Sequence, residues 1–325
     1  MRGLAGRWTL VFIGGVLVGF GGCSTKEEVA PPKGPSAVFQ EEGIQSQSTN
    51  NAKNGASGDK IVEELPPKVI LKNNPNKSNS NKPTNGTLLR LQLKPGLVWD
   101  ATISADISAS FDPSYLPPSE PSSTRGRLRV SLKASVKEAR KESARLSSHS
   151  SKITLTSTGN ESDVSSYPEQ KAEVVVDSQA RLLARELGLF RWIHYMPYLP
   201  FPEEPVVPKD RWMVESAHTG SILLGEGMAL PADYTLQETY VLESQRRYDG
   251  RRVWEIKGET VSRDGKFRAT GTYYVDVKTG LVVFAQVKQE AEVEAPYPNR
   301  GKVPATFTGN ITVRAKIQEP PSPRT

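Results

Sequence analysis

Leu97 to Phe111 reads Leu-Val-Trp-Asp-Ala-Thr-Ile-Ser-Ala-Asp-Ile-Ser-Ala-Ser-Phe. Leu97, Trp99, Ala101, Ile103, Ala105, Ile107, Ala109 and Phe111 hold the odd positions. Asp100, Thr102, Ser104, Asp106, Ser108 and Ser110 fall between them. A period of two sustained this long is a β-strand with one face in a core and the other in water. A helix would scatter these apolar residues around its circumference.

The alternation recurs downstream. Leu128, Val130, Leu132, Ala134 and Val136 alternate with Arg129, Ser131, Lys133 and Ser135. Ala285, Val287, Ala291, Val293 and Ala295 oppose Gln286, Lys288, Glu290, Glu292 and Glu294. Phe307, Ile311, Val313, Ala315 and Ile317 form the last such face. Turn chemistry falls between the runs, at Lys94-Pro95-Gly96, Asp249-Gly250, Asp264-Gly265 and Thr279-Gly280, and tight turns of this kind join antiparallel neighbours. From Asp233 onward the chain reads as a continuous meander. The fold class is therefore mainly β: a curved antiparallel sheet, half-barrel or flattened barrel, of about ten strands over residues 87–318. Residues 319–325 form a polar tail. One interruption, Leu182 to Met196, spaces Leu183, Leu187, Phe190 and His194 helically and predicts one short helix. The proline-rich stretch Pro197–Pro205 after it cannot enter a sheet interior and predicts a crossover.

The N-terminal side differs in kind. Residues 24–86 hold 9 Asn, 7 Ser, 7 Pro and 5 Gly, and Phe39 is their sole aromatic. Such a segment buries too little apolar area to offset its ordering entropy, so residues 23–86 are expected to form a disordered linker. Its root-mean-square span would be on the order of 45 Å. Ile61 to Leu71 is more apolar and is the stretch able to dock. Before the linker, Arg2 and Arg7 precede the uncharged run Trp8–Phe20. That run is too short for a spanning helix and suits the apolar region of a signal peptide over residues 1–22.

Composition excludes several functions. The single cysteine, Cys23, rules out a disulfide framework. His149, His194 and His218 lie in separate segments without a second ligand at metal spacing, so no metal and no cofactor is expected. No phosphate loop, nucleophile elbow or zinc-protease motif occurs. Carboxylate pairs such as Glu203-Glu204 read as solvated charge, and no catalytic residue is expected. Lys+Arg total 42 against 36 acids; without residues 1–22 the balance is 40 − 36 = +4. These charges are interspersed, which points away from nucleic acid. Phe190, Trp192, Tyr195, Tyr198, Phe201 and Trp212 form the densest aromatic cluster. They would line an apolar groove or a glycan-stacking face or, the favoured reading, plug one end of the sheet.

Phe20-Gly21-Gly22-Cys23 resembles the lipobox of bacterial lipoproteins, with Phe20 where leucine is usual. The resemblance implies that Cys23 is lipidated and becomes the mature N-terminus. Ser24, in place of an acidic residue, implies the outer membrane. Phe201–Trp212 is similar to a proline-flanked element of β-rich bacterial envelope proteins. Gly271–Val282 resembles a hairpin of the periplasmic lipoprotein-carrier superfamily, whose fold is a curved half-barrel with an apolar concave face. No functional residue is carried over from these likenesses. The expectation is a lipid-anchored, non-catalytic envelope protein whose partners are the membrane and an apolar ligand held on the concave face. The alternative is an envelope scaffold with a closed core that engages proteins. Several acyl chains at Cys23 would anchor stably where one would not. Cys23→Ser is accordingly expected to abolish labelling by a fatty-acid analogue and to release the protein from membranes; unchanged labelling would contradict the lipobox reading.

Overall fold

The computed structural model describes residues 61–63, 68–72, 86–118, 122–157, 164–186, 196–217, 235–297 and 301–320. The signal region, Cys23 and most of the linker lie outside them. The strands are β1 (Ile61–Glu63), β2 (Lys68–Lys72), β3 (Val98–Phe111), β4 (Ser123–Ala139), β5 (Ser143–Ser150), β6 (Ile153–Ser157), β7 (Val164–Tyr167) and β8 (Lys171–Asp177). They continue with β9 (Leu182–Glu186), β10 (Arg211–Ala217), β11 (Thr235–Tyr248), β12 (Arg251–Ser262), β13 (Phe267–Asp276), β14 (Val282–Tyr297) and β15 (Gly301–Gln318).

All belong to one antiparallel sheet with the order β1-β9-β8-β5-β4-β3-β15-β14-β13-β12-β11-β10-β2, while β6 and β7 extend from β4. The first and last long strands, β3 and β15, pair over fourteen registered positions at the centre. They join two wings, β4-β5-β8-β9 on one side and the meander β14 to β10 on the other. The four expected turns are present, with Gly96, Gly250, Gly265 and Gly280 at positive φ.

The sheet has the expected character: eleven strands of residues 87–318 succeed one another across it, and the short β6 and β7 are added off β4. Leu182–Glu186, read as the start of a helix, is strand β9 against Val174–Val176. Pairing with a neighbouring strand overrides a local spacing that five residues cannot settle. The rest of that proposed helix lies outside the described residues. The linker also departs from full disorder: within its apolar stretch, β1 pairs with β9 and β2 pairs with β10.

Curvature follows from two connections. Leu91 donates its amide to Ser178 O at 2.7 Å, and Gln92 donates to Thr279 O at 2.9 Å. Ser178 lies in the β8–β9 turn and Thr279 in the β13–β14 turn. In a flat sheet these turns would stand about 29 Å apart, six strand spacings. Consecutive amides bring the two carbonyls within about 10 Å. At the edges, only five Cα steps separate Glu63 in β1 from Lys68 in β2. The two margins of the sheet therefore stand no more than about 18 Å apart. The sheet is rolled without closing.

One end of the roll is stoppered by residues 86–97 and 196–210. Thr87 and Val206 exchange backbone hydrogen bonds, Phe201 donates to Gln179 O, and Val282 donates to Pro197 O. Gly280 is required here: a Cβ on it would sit 2.4 Å from Arg90 O. Leu89, Phe201, Val206, Trp99 and Trp212 are buried in this stopper, and the Trp99 indole donates to Val282 O at 2.6 Å. The Arg90 guanidinium ties the two segments by donating to Leu89 O, Pro202 O and Glu203 O.

Burial alternates along β3 as its sequence requires, with Ile103 fully buried and Ser104 half-exposed beside Arg129 and Thr312. Ile103→Asp is expected to lower stability by more than about 3 kcal/mol. Ser104→Asp should change it by about 0.5 kcal/mol or less. Denaturant midpoints of the two variants check the register, and equal tolerance would contradict it.

Candidate functional site

Chemistry-bearing residues singled out in the sequence are not brought together. His149 is exposed and lies 2.8 Å from Glu169 on the outer surface. Glu203 and Glu204 are exposed, and Glu203 meets Arg181 at 3.6 Å. Cys23, His194, His218, Phe190, Trp192 and Tyr195 lie outside the described residues. Among the described residues, no three of His, Cys, Asp and Glu are placed to hold a metal ion. Phe201 and Trp212 are buried in the stopper, and Trp212 donates its indole N–H to Pro200 O at 2.9 Å.

The concave face is the remaining candidate. Each strand contributes its inward alternation, and small residues recur there: Ala101, Ala105, Ala109, Ala134, Ala285 and Ala291. Most buried polar groups lie at the margins and close turns. Asp177 accepts the amides of Gln179 and Arg181 and a 2.5 Å contact from Arg181 Nε. Asp276 accepts the Thr279 amide and hydroxyl. Ser262 holds the Phe267 amide.

Besides Ser148 and Ser150 on the buried face of β5, two larger inward polar residues lie amid the face. Registers align Glu238 on β11, Thr260 on β12, Ala269 on β13, Gln289 on β14, Gly309 on β15 and Ile107 on β3 in one row across the sheet. Glu238 is 8% exposed and Gln289 2%. Tyr240 donates its hydroxyl to Glu238 Oε2 at 2.5 Å. Gln289 Oε1 is buried with no hydrogen-bond partner, a state that costs about 1–3 kcal/mol in a core. Both interrupt the apolar alternation of their strands. That interruption is the signal by which the sequence could have revealed them.

The adjoining row holds Tyr240, Gly258, Gly271, Val287, Ile311 and Ala105. Gly258 and Gly271 face each other in register because the Tyr240 and Tyr273 rings lie over them. A Cβ on Gly258 would approach the Tyr240 ring to 2.9 Å, and one on Gly271 would meet the Tyr273 ring at 2.9 Å. Tyr240 also stacks on Trp212 at 5.6 Å and meets Tyr273 edge-on at 6.3 Å. The aromatic patch thus links the stopper to the polar row.

No lysine, arginine or histidine occurs among the buried residues described. Burial, with Glu238 adding to it, pushes the Tyr240 and Tyr273 phenols above the ordinary value; burial alone does so at Tyr198. The unfolded chain therefore releases these protons first, near pH 10. Their contribution to stability is complete below that pH and is lost as pH rises toward the folded values. Absorbance titration is expected to show these three of the ten tyrosines silent until alkaline unfolding. Ionisation of every tyrosine in the ordinary range while the fold persists would contradict their burial.

No protein-family model and no curated protein matches the chain. Among solved structures it is similar to lipovitellin, from a structure concerned with lipid–protein interactions. Identity there is 13%, covering 72% of this chain and 26% of that one, with a TM-score of 0.42. The chain thus spans about a quarter of that protein. It is also similar to a protein with a YmcC-like fold from Bacteroides fragilis, at 8% identity over 70% of this chain and 99% of that one, TM-score 0.30. A third likeness is to the hypothetical lipoprotein YmcC from Escherichia coli, at 13% identity over 64% and 85%, TM-score 0.24. At these identities and scores the likeness assigns neither a family nor an activity.

Proposed function

We propose that the chain is a lipid-anchored, non-catalytic protein of the cell envelope whose rolled sheet receives an apolar ligand on its concave face. The membrane partner is reached through Cys23, and Ser24 favours the outer membrane. The observation that carries the ligand reading is the width of the roll. About eight strands enclose a space that their own side chains fill. Here thirteen succeed one another between margins held close together, and many of the inward residues are alanine or glycine. A sheet this wide with side chains this small either flattens until its inner faces meet or encloses something else. Larger rolled sheets of this kind enclose ligand cavities.

A second reading, the closed scaffold, is favoured by one observation. Ile103, Leu128 and Ile311 are fully buried at the middle of the face, as a flattened roll requires. Ala105 separates the readings, because it lies between Leu128 and Ile311 in one row. With a ligand site, wild type takes up an uncharged apolar fluorophore, and Ala105→Trp stays folded while uptake falls. With a shut core, wild type takes up none and Ala105→Trp costs about 1–3 kcal/mol through overpacking.

A further inference from the structure

We propose that the convex face of β4, β3 and β15 is a second contact with the membrane, one that lies against anionic phospholipid headgroups. This goes beyond the reading of the concave face and does not depend on it.

Lysines and arginines that are dispersed along the sequence are sorted by register onto this face. On β4, Arg125, Arg127, Arg129 and Lys133 take outward positions of a single alternation, and all four are exposed. Registers set Ser131 and Lys133 beside Thr102 and Asp100 of β3, and those beside Arg314 and Lys316 of β15. Six cations thus stand against two acids, Asp100 and Asp106, on the outer side of three adjacent strands. The band they form is about 10 Å wide and about 27 Å long. Between its basic rows β3 presents the short hydroxyl side chains of Thr102, Ser104 and Ser108, so the longer arginine and lysine heads stand above their neighbours.

The pairing of these cations separates the band from an ordinary solvated surface. On the β10–β13 wing, outward cations meet carboxylates: Arg246 lies 3.2 Å from Glu255, Arg268 2.7 Å from Glu259 and Lys257 3.6 Å from Glu243. Within the band Arg127 is matched in this way, at 2.7 Å from Asp106. Arg125, Arg129, Lys133, Arg314 and Lys316 form no ion pair with a described residue. Uncompensated like charge on one face repels itself, and an anionic partner relieves it. Ammonium and guanidinium groups suit phosphate oxygens, which arginine can bind in pairs. A convex sheet meets a plane over a narrow strip, and this band places its cations there together. The bilayer is the plane within reach. Thirty-eight residue steps separate Cys23 from Ile61, a span of at most about 130 Å, so the acyl anchor proposed at Cys23 leaves this face able to meet the headgroups. A basic band alone binds weakly at cellular salt. Its effect is to orient a domain that the acyl chains retain.

The test uses the full chain carrying Cys23→Ser, so that no acyl chain contributes and the anchor reading is not at stake. It is sedimented with vesicles of phosphatidylcholine alone or mixed with phosphatidylglycerol. At about 50 mM salt, where the Debye length exceeds about 10 Å, partition into the mixed vesicles is expected to be about tenfold or more above that into phosphatidylcholine. Raising the salt to about 0.5 M should abolish it. Arg125→Gln, Arg129→Gln and Lys133→Gln together should lower that partition about tenfold. Removing as many exposed cations elsewhere, with Arg247→Gln, Arg263→Gln and Lys266→Gln, should change it less than about twofold. A thiol footprint needs neither triple variant to fold. In the same chain Thr102→Cys supplies the sole cysteine, at an exposed position within the band. It should lose maleimide reactivity on the mixed vesicles, while Thr270→Cys, exposed on β13, stays reactive. Equal partition into both vesicles overturns the assignment, as does a loss in the control triple as large as that in the band triple. A cysteine at position 102 that stays reactive overturns it too. Binding of polyglutamate without vesicle partition would give the face to an acidic protein and overturn the lipid assignment.

Discussion

Two consecutive amides, those of Leu91 and Gln92, hold the two wings of the sheet in place. In an extended segment successive N–H groups point in opposite directions. One therefore bonds the β8–β9 turn and the next bonds the β13–β14 turn. The turns come from parts of the chain about a hundred residues apart and would be distant in a flat sheet. Joined across a single peptide unit, they impose the roll, give the sheet a concave side and fix the end at which it is stoppered. Asp177 and Asp276 serve this junction by rigidifying the two turns whose carbonyls accept the bonds. Gly280 serves it by letting the Arg90 backbone approach closely.

The long strands were legible in the sequence because each has one wet face and one dry face. The alternation from Leu97 to Phe111 is reproduced in β3, and the glycine turns at 250, 265 and 280 join antiparallel neighbours as expected, while the turn at Gly96 leads from the stopper into β3 and joins no strand pair. Periodicity reports a side chain's face and says nothing of which strand lies beside it. The central pairing of β3 with β15 was therefore illegible, as was the use of linker residues to cover both margins. Strand β9 was read as helix because Leu183 and Leu187 are four apart, a spacing that edge pairing to β8 overrides. Phe201 and Trp212 do occupy a stopper at one end, the favoured reading of the aromatic cluster. Glu238 and Gln289 escaped notice for a different reason. A single polar residue in an apolar alternation becomes meaningful only when registers bring several strands' exceptions into one row.

The interior separates its polar groups by duty. At the stoppered end and in the tight turns Asp177, Asp276 and Ser262 hold backbone amides and work as fasteners, while Gln179 Oε1 has no partner. Gln289 Oε1 has no partner, and Gln289 lies in a zone where Gly258, Gly271 and Gly309 thin the sheet's inner surface. A fold under selection for stability alone would fill such a zone with branched apolar side chains. Small residues, flat-lying tyrosines and an unmatched amide share the same few rows of the sheet.

The short strands at the margins bear on mechanics. β1 spans three residues and β2 five, and both belong to the segment that leads back toward the N-terminus. Tension applied from that side reaches β1 first and loads its few hydrogen bonds to β9 before any long strand. β2 is next in line, on the opposite margin. The pair forms a weak link in series with a strong body, so a pull would detach the seam while the central β3–β15 ladder carried almost no load. Release of both strands would uncover the free margins of β9 and β10 together, which couples force from the N-terminal side to the width of the opening between them.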